Sequence, residues 1–293
     1  HKMIAKRIET NSITNEKKAY LTIEAMVTAN KDSQTLNVLK EEFLEALSQL
    51  IKSPEKNGDN NQIKKVMVNE DEIELTLIPE GRFILGSDKG NNNEKPALPV
   101  DVSSFYFATT ELTQSLYWQC IEQRKCSNQY LSKNIKTLSL PMSNVSWQEI
   151  QDEFLPWLRQ QTNLAFRLPT EIEWEYAAKQ GMNNRTLSKQ NICLYGNTGF
   201  EQPICNDRFK QIAPIAQFTP NDFGLYDMTG NLAEWTQSCW SNSHYSQNKN
   251  CKKAVVKGGS WYQQLYDSRS SAREGKKLNS QLDTLGFRLA LDQ

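Results

Sequence analysis

Six cysteines stand at positions 120, 126, 193, 205, 239 and 251, and the only histidines are His1 and His244. Thiols can crosslink, hold a metal or attack as thiolates. The spacing favours the first. The cysteines fall into three local couples, each closing a short loop beside turn-forming residues. No Cys-x-x-Cys occurs to bring two thiolates onto one zinc ion. Of the fifteen connectivities open to six cysteines, sequence proximity selects Cys120–Cys126, Cys193–Cys205 and Cys239–Cys251, with free or metal-bound thiols as the alternative. Crosslinks of this kind imply an oxidising compartment, so the expected location is periplasmic or extracellular. The opening His-Lys-Met shows no secretion signal, which carries no weight on the compartment.

Other nucleophiles are less promising. Ser260, Ser268, Ser270 and Ser271 are numerous but have no histidine base nearby in sequence, so Lys276 or Lys277 would have to serve; serines in a polar loop more often fill hydrogen bonds. Gly81, Gly86 and Gly90 lack the spacing of a phosphate-binding loop or a dinucleotide fingerprint. Lys+Arg and Asp+Glu balance at 34 each, which speaks against a nucleic-acid footprint or a polybasic membrane patch. No apolar run approaches the ~20 residues that span a bilayer.

The elements that must position these groups have two textures. Residues 1–65 have no Cys, no Trp and a single Gly. Tyr20, Ile23 and Val27, then Leu36, Leu39, Phe43, Leu47 and Leu50, recur at helical spacing and predict a helical hairpin. The polar stretch at 53–62 reads as a linker. From 66 to 293 tryptophans, glycines and cysteines concentrate and strands are short. Residues 73–87 alternate around Pro79-Glu80-Gly81 and predict a β-hairpin. Residues 100–123 predict a strand and then a helix capped near Thr110–Thr113. Ser146…Glu149 and Thr170…Glu173 both fit a capping box, and Pro156 should kink or shorten the first of those helices.

Four stretches, in order, then resemble one family: PMSNVSWQEI (141–150), FRLPTEIEWEYAAKQG (166–181), NDFGLYDMTGNLAEW (221–235) and KGGSW…LGFRLA (257–290). The series is similar to the formylglycine-generating-enzyme, or sulfatase-modifying-factor, family, whose fold is related to C-type lectins. The resemblance covers roughly residues 70–291. It implies an α+β domain with little regular secondary structure, held by loops and bound ions. Trp147, Trp174, Trp235 and Trp261 are expected to supply much of its buried area.

The resemblance also implies chemistry, some of which this chain lacks. The family oxidises a substrate cysteine with two enzyme cysteines that bind copper; alignment places Leu265 and Ser270 at those positions, and no cysteine occurs from 252 to 293. The histidine-rich iron site of ergothioneine-forming relatives is excluded by the histidine count. Structural calcium is retained as an expectation. One ion would be held by carbonyls of Gly230 and Leu232 and the carboxylate of Glu234, with Asn231 nearby. A second would use Asn191, Ile192, Asp207 and Phe209. Mixed oxygen ligands of this kind suit calcium.

The resemblance places the ligand-facing surface between Gly258–Trp261 and Gly286–Leu289, which read as framework. Tyr262, Gln263, Gln264, Tyr266, Asp267 and Asn279 are the candidate ligand-binding residues, with Lys276, Lys277 and Gln281 on the same stretch. Tyr and short polar side chains make adaptable contacts at low entropy cost. Arg273 and Arg288 are expected to be tied to core carboxylates or carbonyls, and Trp261 and Phe287 to be buried beneath. The expected function is a non-catalytic extracytoplasmic binding or sensory module with a protein or small-molecule ligand, and no nucleic acid. By analogy with the family's domain combinations, its N-terminal region would join it to a membrane-anchored receptor kinase or a secretion-system protein. The alternatives are an enzyme of the family with a reassigned active site and a retroelement-diversified ligand-binding protein.

Overall fold

The computed structural model describes residues 63–127, 129–130, 139–180, 209–242 and 251–293. The helical hairpin expected in the N-terminal region lies outside them, as do Asn191, Ile192, Cys193, Cys205 and Asp207. Residues 61–293 form one compact unit, and its first strand begins at Ile63, ahead of the boundary read at 66.

Strand β1 (Ile63–Val68) turns through Asn69, at φ 53°, into β2 (Asp71–Ile78), with Val68 opposite Asp71. Asparagine suits the left-handed position that such a short hairpin requires. This corrects the hairpin expected over 73–87. After β2 the chain leaves the sheet at Pro79, and β3 (Gly81–Leu85) pairs instead with β4 (Leu98–Val102) in a separate two-stranded sheet. The turn is held from outside: the Tyr176 hydroxyl donates to the Pro79 carbonyl at 3.0 Å. A Cβ on Gly81 would lie 2.4 Å from that hydroxyl, so a side chain there would displace it.

Strand β5 (Phe105–Ala108) joins β2, and the C-terminal β10 (Ala290–Asp292) closes the sheet in the order β1-β2-β5-β10. Helix α1 (Gln114–Glu122) follows, its N-terminus capped by Thr113, whose hydroxyl accepts from the Leu116 amide. The Ser146–Glu149 capping box forms in both directions and opens the short α2 (Trp147–Glu149). The distortion expected from Pro156 is a π-helical turn over Ile150–Phe154; Pro156 itself sits in the first turn of α3 (Leu155–Thr162), where no N–H is needed. Helix α4 (Glu171–Gln180) carries the Thr170–Glu173 box, again reciprocal.

A second four-stranded sheet has the order β8-β7-β6-β9, built from β6 (Ala233–Cys239), β7 (Lys253–Lys257), β8 (Glu274–Lys277) and β9 (Leu285–Gly286). β9 runs parallel to β6, with Glu234 opposite Gly286. The polar C-terminal segment is therefore an excursion from β7 that returns to β6 through β9, with β8 on its outer edge.

The architecture is α+β, with short elements and two buried clusters. One gathers Tyr117, Phe154, Trp157, Trp235 and Phe287, the other Phe105, Phe107, Trp174 and Tyr176. Trp174 and Trp235 are fully buried. Trp147 and Trp261 are only partly buried, which corrects the expectation for both. Each spends its indole N–H at the rim of the core, Trp147 on the Thr236 carbonyl and Trp261 on that of Asp283. Of the expected disulfides, Cys120–Cys126 and Cys239–Cys251 are formed.

Candidate functional site

The motif residues of α4, β6 and the C-terminus meet in one buried ion pair. Arg288 donates from Nε and Nη2 to the Glu234 carboxylate at 2.7–2.9 Å, and Nη2 also reaches the Tyr226 carbonyl at 2.8 Å. The Trp174 indole N–H donates to the same carboxylate at 2.7 Å. Both charged side chains are 0% exposed. Burial opposes the Arg288 charge, but Glu234, Glu111 and Asp227 outweigh it and hold its pKa above the usual value. The expected tie of Arg288 to a core carboxylate is what the structure contains. Arg273 follows suit, donating from Nε and Nη2 to Glu171 at 2.6 and 2.8 Å.

Glu234, read as a calcium ligand, thus has its carboxylate engaged by an arginine and a tryptophan. A carboxylate oxygen without a partner lies on a residue not read as a ligand: Asp227 Oδ1 is buried and makes no hydrogen bond among the described residues. Its other oxygen accepts from the Ala216 amide at 3.1 Å. Burial pushes the Asp227 pKa up to about 6, the Ala216 amide and Arg288 opposing. Burial also drives Glu111 well above the carboxylate range, with Asp227 and Glu234 adding to the effect. The Glu111 oxygens accept from the Leu232 amide and the Asn231 side chain. Asn231 is committed to Glu111 and to both backbone groups of Ala213. Three buried carboxyl groups therefore share one arginine, an excess of negative charge that a proton or a cation would relieve. Among the described residues no three His, Cys, Asp or Glu side chains gather in metal-binding geometry, so an ion here would depend largely on backbone oxygens such as those of Gly230 and Leu232. Of the second expected calcium site only Phe209 is described; its ring lies 6.1 Å from that of Phe218.

Beside this framework lies a cleft of about 340 Å³. Its floor is Val256, Lys257, Gly258 and Gly259 at the end of β7; its walls include Asn91, Gln263, Asp267, Arg273 and Glu274. Gly259, at φ 69°, would place a Cβ 2.2 Å from Ser268 Oγ, so the glycine lets the polar segment fold down onto the floor. Lys257 is fully buried and donates to Glu175 at 2.8 Å.

The candidate ligand-binding residues divide around this cleft. Gln263 and Asp267 line it. Tyr262, Gln264 and Tyr266 are exposed on the same stretch, the two tyrosines at 55% and 48%. Asn279 is exposed but lies beyond β8 and outside the lining. Leu265 and Ser270, aligned with the family's cysteines, are half-buried.

Asn91, which lines the cleft, opens the short segment Asn91–Glu94, which was not read as functional. Buried Glu94 takes two bonds from Arg269 at 2.7 and 2.8 Å, and the guanidinium stacks 3.9 Å from the Tyr266 ring. The signal was present, since Asn91-x-x-Glu94 is itself a capping pattern; the Asn91 amide donates to Glu94 Oε1 at 2.9 Å.

Residues 60–293 match the family described as the sulfatase-modifying factor enzyme 1-like domain. The mouse protein named formylglycine-generating enzyme is 29% identical over 74% of this chain and 75% of its own length. A bovine protein named inactive C-alpha-formylglycine-generating enzyme 2 is 25% identical over 76% of this chain and 89% of its own. Among solved structures, Treponema denticola variable protein 1 superposes with a TM-score of 0.67 at 23% identity, over 79% of this chain and 99% of that one, a likeness of fold.

Proposed function

This chain belongs to the sulfatase-modifying factor enzyme 1-like family, and we propose that within it the chain is a non-catalytic, extracytoplasmic binding module. The observation that carries the reading is the chemistry beside the cleft. Leu265 and Ser270 stand where the family resemblance puts two thiols, and the nearest cysteine in sequence, Cys251, is in a disulfide with Cys239. A thiolate mechanism needs a thiolate. The bovine relative whose name includes "inactive" gives the reading a precedent within the family.

What the segment offers instead is contact area. Tyr262, Gln264 and Tyr266 project from a rigid base, held by Gly258–Gly259 at one end and β9 at the other. Both disulfides favour an oxidising, periplasmic or extracellular location. Among the described residues no helix is long and apolar enough to cross a membrane, so attachment to a receptor kinase or secretion component would fall to another part of the protein.

Structural calcium belongs to the same reading. The orphaned Asp227 Oδ1 favours a cation beside Gly230 and Leu232, with the Glu234 charge already compensated by Arg288. The second ion, at Asn191, Ile192, Asp207 and Phe209, is proposed on the resemblance alone.

The test is direct. A cysteine-containing peptide incubated with the protein, copper and oxygen should be recovered with its sulfur intact by mass spectrometry. Conversion to the aldehyde would overturn the non-catalytic reading.

A further inference from the structure

Resting on the reading of this segment as a binding surface, we propose that the cleft beside it takes an organic cation, an alkylammonium or guanidinium group. The two basic side chains in its lining are buried and spent. Lys257 donates to Glu175. Arg273 is committed to Glu171 and, through Nη1, to the carbonyls of Asn93 and Ser241, with the Trp240 ring 4.6 Å away. The two acidic side chains in the lining, Asp267 and Glu274, are exposed.

Glu274 has Lys276 as its counter-ion, a solvent-facing pair of the kind that contributes little. The Asp267 charge acts weakly on Arg269, whose own charge is already balanced by two hydrogen bonds to Glu94. Among the described lining residues, an entering anion thus meets only basic groups already paired, whereas an entering cation meets exposed carboxylates. Two tyrosines beside the lining residues Gln263 and Asp267 in the chain point the same way. Tyr266 already holds a guanidinium 3.9 Å from its ring centre, and the exposed Tyr262 presents a second ring, 5.7 Å from that of Trp261. A cleft of about 340 Å³ suits a small ligand or one long side chain.

The probes are butylammonium, butylguanidinium, butyrate and inorganic phosphate, titrated calorimetrically into the full chain at low ionic strength. Both cations should bind, less tightly as salt is added, and neither anion should. Asp267→Asn should weaken cation binding roughly ten-fold or more, about 1.4 kcal/mol, and Asp267→Lys should turn the preference toward butyrate. Unchanged melting curves would certify that both variants fold. A capped Gly-Arg-Gly peptide separates the sources: tighter binding than butylguanidinium assigns a basic side chain of a peptide, weaker binding a free small cation, and either sustains the cation class. Preference for an anion, absence of cation binding, or cation binding indifferent to Asp267→Asn overturns the proposal. The reading on which it rests fails separately, by conversion of the cysteine peptide, whichever charge the cleft prefers.

Discussion

Two arginines, Arg288 and Arg269, show how differently one C-terminal stretch can use the same chemistry. Arg288 is 0% exposed, and its guanidinium closes the pair with Glu234 inside the core. Arg269 is 27% exposed, pairs with buried Glu94 and stacks on an exposed tyrosine. The first is framework, because neither charge of the pair reaches water. The second, with its guanidinium partly in water, ties a surface loop to the 91–94 segment. Framework and binding surface are therefore separated less by residue type than by where each charge ends.

The largest effect that would sharpen this contrast is expected from Arg288→Met. Leaving Glu234 buried without its partner should cost about 3–5 kcal/mol, read as a large fall in the denaturant midpoint or as failure to fold. A near-neutral result would place Arg288 on the same footing as Arg269 and dissolve the comparison.

Next comes removal of calcium. If an ion meets Asp227 Oδ1, purified protein should contain calcium by elemental analysis. Chelator should lower the melting temperature, with about 2.7 kcal/mol lost if free calcium had stood at ~100 times its dissociation constant. Asp227→Asn should blunt that response, because the unpartnered oxygen is lost. The stripped protein should also respond to pH. With its folded pKa raised to about 6, above the ordinary aspartate value, Asp227 holds its proton better folded than unfolded. Its contribution therefore grows as pH falls through about 6 and is lost as pH rises through it. An unmoved melting curve and absence of calcium would remove the ion from the framework.

Arg269→Met should cost less, about 1–3 kcal/mol, for the loss of hydrogen bonds to a charged, buried Glu94. Burial pushes the Glu94 pKa up, but Arg269, the Asn91 amide and Ser271 outweigh it and hold it below the usual carboxylate value. A depressed folded pKa gives stability that is present above the unfolded value and lost as pH falls through the folded one. The gap between wild type and Arg269→Met in denaturant titrations should therefore close in acid. A gap that persists there would mean that the arginine acts through packing on Tyr266.

The smallest effect belongs to Tyr262→Ala/Tyr266→Ala, whose stability should stay within about 0.5 kcal/mol of wild type, while binding of the cation probes should weaken. Trp261→Ala should now cost less than the roughly 3–5 kcal/mol of a fully buried aromatic such as Trp235, since its ring is only partly covered. A double variant that unfolds would make the tyrosines scaffold.

Much of this molecule was legible before any coordinates. Thr113, Ser146 with Glu149, and Thr170 with Glu173 cap as read, and Cys120–Cys126 and Cys239–Cys251 pair as read. The four ordered motifs named the family and the α+β fold. Each of these rests on partners close in sequence or on a motif carried whole. The hairpin at 73–87 misled because alternation says that two strands exist but not that they pair with each other; β2 finds β1 and β5, and β3 finds β4.

The sequence by itself therefore determined the caps, the two described short-loop disulfides, the missing thiols and the family. Only the tertiary structure decided which carboxylate each arginine meets, how far each tryptophan is covered, that Asp227 rather than Glu234 keeps an unpartnered oxygen, and that Asn91 lines the cleft. The reason is range. A cap or a short loop closes over a few residues whose geometry the local backbone dictates. Arg269 and Glu94 lie 175 residues apart, and whether they meet depends on every strand register and loop path between them.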